Sequence, residues 1–316
     1  MLASQGSVAG PRKGEVSRMA WWSGRRGFWV TLGLGLVMVA GLAVYLLNDP
    51  PPVERDVEYG RVGGHALRLD IYRPAASIGS RPAVLLIHGG GWVEGDKSSE
   101  REMGEGLARA GYVAFAVGYR LAKDDASRHP AQVDDVRRAA RWVRANAGRL
   151  GIDPDRLGAF GISAGGHLVA MLGTTEVLDD GDPSLKGYSS RVNCVVDCCG
   201  PADFTDESSP PLGPKAIWMA DNLFTKPRGE IPEVCRDASP VTHADAKSAP
   251  TLILHGTADE IVPIDQSRRL RNALRKAGVE VELIEFEGED HIISGAEAHA
   301  RMLLEVMAFL RRHLRP

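Results

Sequence analysis

Gly161-Ile162-Ser163-Ala164-Gly165 decides the reading of this chain. The pentapeptide follows the apolar run Arg156-Leu157-Gly158-Ala159-Phe160 and precedes His167-Leu168-Val169-Ala170-Met171-Leu172, which suits a helix. A strand, a sharp turn and a helix with serine at the apex push the Ser163 hydroxyl out of a strained turn. A Cβ at Gly161 or Gly165 would collide with the neighbouring strand or helix. The helix that follows aims its first N–H groups at charge developing nearby. Taken alone, the five residues are equally compatible with a plain turn, so the surrounding sequence has to decide.

Three further segments fit the same scheme. Pro82-Ala83-Val84-Leu85-Leu86-Ile87 reads as a buried strand, apolar and too short for a helix. His88-Gly89-Gly90-Gly91-Trp92 follows it directly. Three consecutive glycines leave backbone N–H groups unshielded, so Gly90 and Gly91 are the expected donors of an oxyanion hole, joined by the N–H of Ala164. The second segment, Thr251-Leu252-Ile253-Leu254-His255-Gly256-Thr257-Ala258-Asp259-Glu260, ends a buried strand in an acid-bearing loop. Asp259 is the candidate partner for a histidine Nδ1, preferred over Glu260; helix capping is its alternative role. In the third, Phe286-Glu287-Gly288-Glu289-Asp290-His291 follows the alternating Val279 to Ile284 run. His291 is singled out among nine histidines because it lies in the loop after a strand and downstream of the acid.

The chain resembles the α/β-hydrolases of the HGGGW esterase group, which includes acetyl-esterase, feruloyl-esterase-like and hormone-sensitive-lipase-like carboxylesterases. The matching segments run from Pro82-Lys97 through Gly118-Leu121, His129-Ala147, Gly161-His167, Gly200-Phe204, Ala238-Pro240 and His255-Pro263 to the His291 loop. Trp92 with Gly95-Asp96-Lys97 is closest to the feruloyl/acetyl branch, and formamidases use a related glycine loop. The order Ser163, Asp259, His291 is that of an α/β-hydrolase triad. The resemblance implies a serine carboxylesterase acting on short-acyl or aryl esters, such as acetyl or feruloyl groups on polysaccharide. It requires no cofactor. No metal-ligand spacing is present, since Cys198 and Cys199 are adjacent rather than two residues apart. A serine peptidase or amidase of the same fold is the alternative, and a non-catalytic binding module is a third.

Phe28 to Leu47 carries no charge, and about twenty apolar residues span a bilayer. Arg12, Lys13, Arg18, Arg25 and Arg26 precede it against one acid, Glu15. The expectation is a basic cytoplasmic tail over 1–27, a transmembrane anchor over 28–47, a proline-rich linker over 48–57 and a hydrolase domain over 58–316. The catalytic domain would face the periplasm or the extracellular side. A cleaved signal peptide, giving a secreted enzyme, is the alternative. A net charge of −3 gives no reason to expect a nucleic-acid partner.

Candidate strands at 66–72, 83–88, 112–117, 156–162, 192–198, 251–255 and 279–285 alternate with helical patterns. Between Pro130 and Ala147, apolar Val133, Val136, Ala140 and Val143 recur at helical steps. The expected fold is α/β: a mainly parallel central sheet with helices on both faces. Arg120 and Asp135 are read as a pair or as two separately solvated charges. A cap insertion is placed at about 205–236. There Trp218 and Phe224, with Trp92 from the glycine loop, are candidates to wall the substrate pocket; for Trp218 and Phe224 the alternative is packing of the cap onto the body. Cys194, Cys198, Cys199 and Cys235 are either disulfide partners, with Cys235 reaching Cys198 or Cys199, or buried thiols.

Overall fold

The computed structural model describes residues 50–75, 79–205 and 220–315. Every described element belongs to one unit, Pro51–Pro316. Its centre is an eight-stranded sheet in the order β1-β2-β4-β3-β5-β6-β7-β8. The strands are β1 (Val53–Val62), β2 (His65–Tyr72), β3 (Arg81–Ile87), β4 (Val113–Val117), β5 (Ile152–Ile162), β6 (Cys194–Cys198), β7 (Thr251–Gly256) and β8 (Val281–Phe286). From β4 to β8 every pairing is parallel, whereas β1–β2 and β2–β4 are antiparallel.

Strand side chains point alternately to the two faces, and the core divides accordingly. Leu85 and Ile87 of β3 join one cluster with Phe115 and Val117. Val84 and Leu86 join the other with Ala114 and Ala116. Helices α2 (Ala131–Ala145) and α3 (Ala164–Thr174) cover the first face with Val133, Val136, Leu168 and Leu172. Helices α1 (Arg101–Arg109) and α5 (Ala296–Leu314) cover the second with Leu107, Val306, Phe309 and Leu310. Helix α4 (Asp265–Lys276) sets Leu270 and Leu274 against Ile253. Each fully buried Leu, Ile, Val or Phe contributes about 1.5–3 kcal/mol of transfer free energy, which is why near-continuous apolar runs occupy the central strands.

The expected strands all form, with ends shifted by a few residues, and one more appears. Val53 pairs with Tyr72 and Glu54 with Ile71, so the last five residues of the stretch read as linker belong to β1. That strand escapes a hydrophobicity reading because it lies at the sheet edge and half of Val-Glu-Arg-Asp-Val-Glu-Tyr-Gly-Arg-Val is exposed, with Tyr59 alone fully buried. Among the described residues no helix is long and apolar enough to cross a membrane. The tail over 1–27, the apolar run over 28–47 and Trp218 lie outside the described residues. Within the proposed cap, residues 220–236 include a single-turn 3₁₀ helix at Arg228–Glu230 and a short helix at Pro232–Asp237. Arg120 and Asp135 do pair: the guanidinium forks onto the carboxylate at 2.7–3.1 Å, and the Arg120 N–H adds a third donor at 2.8 Å. This clips α2 to the end of β4.

Candidate active site

Strand β5 ends at Ile162, and Ser163 takes φ 58°, ψ −120° before α3 begins at Ala164. A left-handed φ is uncommon for a residue with a side chain and is tolerated where surrounding contacts enforce it. The Ser163 N–H donates to Cys198 O at 2.8 Å and the Ser163 carbonyl accepts from His167 N–H at 3.0 Å. A Cβ at Gly161 would run into the Gly165 carbonyl, and one at Gly165 into the Ile87 carbonyl. The two flanking glycines therefore follow from close packing of turn, helix and β3.

The acid and base loops are tied together at the ends of β7 and β8. Thr257 N–H donates to Phe286 O and Ala258 N–H to Glu289 O, both at 2.9 Å. Gly288 N–H donates to Thr257 Oγ1 at 2.8 Å. Across this junction His291 Nδ1–H donates to Asp259 Oδ2 at 2.7 Å, and Ser163 Oγ–H donates to His291 Nε2 at 2.9 Å. Asp259 Oδ1 accepts N–H groups from Ile261 and Val262, each at 2.8 Å. Its Oδ2 also lies 3.0 Å from His255 Nε2, whose N–H donates to Val262 O at 2.8 Å. Burial works against the charged carboxylate. The bonds from His255 and His291, the His291 field and the Val262 N–H outweigh it and hold Asp259 well below the usual carboxylate range. Glu260, the competing acid, is exposed.

The glycine loop lies against the elbow: a Cβ on Gly89 would sit 3.0 Å from Ile162 O and 3.5 Å from Ser163 Cβ. Gly90 and Gly91 have φ 108° and 57°, which favour glycine. The Gly90 carbonyl closes a turn by accepting from Val93 and Glu94. Ala164 is the first residue of α3, so its N–H has no partner within the helix. At the loop's root, His88 stacks on Tyr119 with centroids 4.2 Å apart, and Tyr119 Oη–H donates to His88 O at 3.0 Å. A cleft of about 520 Å³ opens beside it, lined by His88, Gly95, Tyr119, Arg120 and Lys123. The Lys97 ammonium bonds Asp70 at 2.8 Å and Asp56 at 3.0 Å, pinning the segment after the glycines to β1 and β2.

Two aromatic residues expected at the substrate pocket are placed elsewhere. Trp92 is 3 % exposed. Its Nε1–H donates to His167 Nδ1 at 3.1 Å and its ring meets Phe204 edge-on. It therefore packs beneath α3. Phe224 is 1 % exposed and edge-on to Phe204 and His129; it borders a recess of about 330 Å³ with His129, Pro130 and Val234 that includes none of Ser163, Asp259 and His291. Both residues sit where an aromatic ring gains most by burial.

All four cysteines are free and buried. Cys199, at φ 48°, lies beside the site, with its thiol donating to His291 O at 3.0 Å. Its sulfur, Asp259 and His291 place one ligand-type atom each within 4.8 Å of one another, and the hydrogen-bonded line already engages the last two. The sequence reading missed Cys199 and His255. A histidine interrupting an apolar buried strand was the available signal for His255.

A serine on a strained elbow, bonded to an imidazole that is itself bonded to a buried carboxylate, defines the site of an α/β-hydrolase. Residues 69–274 match the BD-FAE family, and the chain belongs to it. It is 33 % identical over 225 residues to a probable carboxylic ester hydrolase, LipM, of Mycobacterium tuberculosis, covering 70 % of this chain and 51 % of LipM. The chain thus spans about half the length of that relative. It is 30 % identical to the ethyl acetate hydrolase of Pseudomonas putida, covering 88 % of this chain and 86 % of that one. Among solved structures it resembles the esterase Est2 of Thermogutta terrifontis, with TM-score 0.70 and 31 % identity over 84 % of this chain and 94 % of that one.

Proposed function

We propose that this chain is a serine carboxylesterase in which Ser163, His291 and Asp259 form the catalytic triad. The observation that carries the reading is the continuous line of hydrogen bonds from Ser163 Oγ through His291 to Asp259. In the reaction His291 Nε2 takes the Ser163 proton as Oγ bonds to the ester carbonyl carbon. The oxyanion is received by N–H groups of Gly90, Gly91 and Ala164. The C–O bond to the alcohol then breaks, and the alcohol departs with the proton from His291. Water repeats the sequence on the acyl-enzyme, releasing the acid and restoring Ser163. Removing one oxyanion donor from such a site costs on the order of 10²–10³ in rate.

Short-acyl or aryl esters are the preferred substrates in this reading, such as acetyl or feruloyl groups on polysaccharide. Support comes from the ethyl acetate hydrolase relative, from Est2 structures with butyrate and with propionate, and from the likeness to a gut-microbiota carbohydrate esterase. The reading includes a membrane-tethered catalytic domain facing outward, resting on the uncharged run from Phe28 to Leu47 and the basic residues before it.

The test compares the full chain in mild detergent with its Ser163→Ala variant on p-nitrophenyl esters from acetate to laurate, methyl ferulate and acetylated xylan. The expected result is hydrolysis fastest on the shortest acyl chains, reduced at least about 10³-fold in the variant. Turnover that survives the substitution refutes the triad. A parent inert on every ester but active on aminoacyl anilides assigns the chain to the amidases.

A further inference from the structure

We infer that His255 is a positioning residue for this hydrolysis, holding the Asp259 carboxylate in the register that His291 requires. The inference rests on the esterase reading for its rate measurements and on geometry alone for its spectroscopic one. His255 sits on β7, in the all-buried run Thr251–Gly256, and is 0 % exposed. A polar ring there is unfavourable unless it is hydrogen-bonded, and both of its nitrogens are bonded. Nε2 lies 3.0 Å from Asp259 Oδ2 and 2.8 Å from Val262 O. Facing two acceptors, it must carry the proton. Nδ1 is 2.6 Å from Ser267 Oγ, on the buried first turn of α4, and in the neutral ring accepts that hydroxyl.

The consequence lies in what holds Asp259. Its Oδ1 bonds belong to Ile261 and Val262, which move with the same loop. His291 is the group being positioned and cannot also be the reference. Among the described residues His255 is the side chain that reaches the Asp259 carboxylate from a strand of the sheet, at 3.0 Å, and Ser267 braces it from a helix. The catalytic acid is thereby tied to the rigid frame, while the loop alone would fix it only relative to itself.

The experiment uses His255→Asn, whose amide reaches only the Nδ1 position, and His255→Gln, whose amide reaches the Nε2 position. In the Asn variant kcat is expected to fall about 10–100-fold, the scale of a misplacement of about 1 Å, with KM within about twofold of the parent. The Gln variant should stay within about threefold of the parent, because it restores the donor to Asp259. The downfield proton resonance of His291 Nδ1–H should shift or broaden in the Asn variant and remain in the Gln variant. A folded Asn variant with parental kcat and resonance, or Asn and Gln variants equally impaired, overturns the inference. If the Asn variant does not fold, Ser267→Ala loosens the ring without removing it. It is to show the same loss in kcat at steady KM in smaller measure, and a parental kcat there overturns the inference. The resonance needs no turnover, so a parent inert on esters would sink the esterase reading while the role of His255 is still decided.

Discussion

Asp197 shows how one residue near the site links its surroundings to stability. It lies on β6 opposite Gly161 and Ile253. Its Oδ1 accepts Gly200 N–H at 2.9 Å, while Oδ2 has no hydrogen-bond partner among the described residues. Burial raises its pKa to about 6, against opposition from the Gly200 N–H and His255. An acid with a raised folded pKa binds its proton more tightly when folded. The stability it contributes is therefore complete below about pH 4 and is lost as pH rises through about 6. The shift from 3.8 to about 6 corresponds to a differential on the order of 3 kcal/mol. Asp197→Asn keeps the acceptor for Gly200 and cannot ionise. It should be more stable than the parent in urea at pH 8, with the difference closing by pH 4. A difference as large at pH 4 as at pH 8 would refute the account. Asp197 carries no sequence signal of this kind, because its burial is decided by β5 and β7 on either side. Ser163, Asp259 and His291 were legible because each occupies the loop after a strand. For Phe224 the burial matches the packing alternative rather than the pocket wall, and Trp92 at φ 63° turns inward, because nearness along the chain does not say which way a ring turns.

At the scale of elements, the close approach of α3 to β3 is the constraint that the Gly-x-Ser-x-Gly pattern encodes. Gly165→Ala would drive a methyl into the carbonyl oxygens of Ile87 and His88, at the root of the glycine loop. It should cost about 1–3 kcal/mol or more, as overpacking does, and lower activity by displacing that loop. Gly148→Ala provides the contrast. Gly148 lies in the short helix Ala147–Leu150, with nothing within 4 Å of an added Cβ. This change should stabilise by about 0.4–1 kcal/mol. Melting temperatures of the pair check both signs, and a neutral Gly165→Ala would break the packing argument. The parallel strands were legible because apolar runs buried on both faces leave a plain trace. The edge strand β1 was not, since only Tyr59 among its residues is fully buried. The Arg120–Asp135 clip was left open because two charges fifteen residues apart meet only through the placement of α2.

Over the whole molecule, four buried free thiols predict a simple chemical behaviour. The native protein should not react with a thiol-specific disulfide reagent, should titrate four thiols in denaturant, and should melt at the same temperature with or without reductant. Fewer than four under denaturing conditions would mean that disulfides form after all. The two rims of the sheet also share a character: β1 carries Glu54, Arg55, Asp56, Glu58 and Arg61, and β8 carries Glu282 and Glu285. Charged edges discourage another strand from adding on, so the sheet ends at β1 and β8. Beside the site, Ser163 and His291 are registered to neighbouring residues, Ser163 through the Cys198 carbonyl and His291 through the Cys199 thiol. Two parts gauged from a common datum do not accumulate each other's tolerances. A tilt or slide of β6 would carry serine and imidazole the same way, leaving the gap between them nearly unchanged.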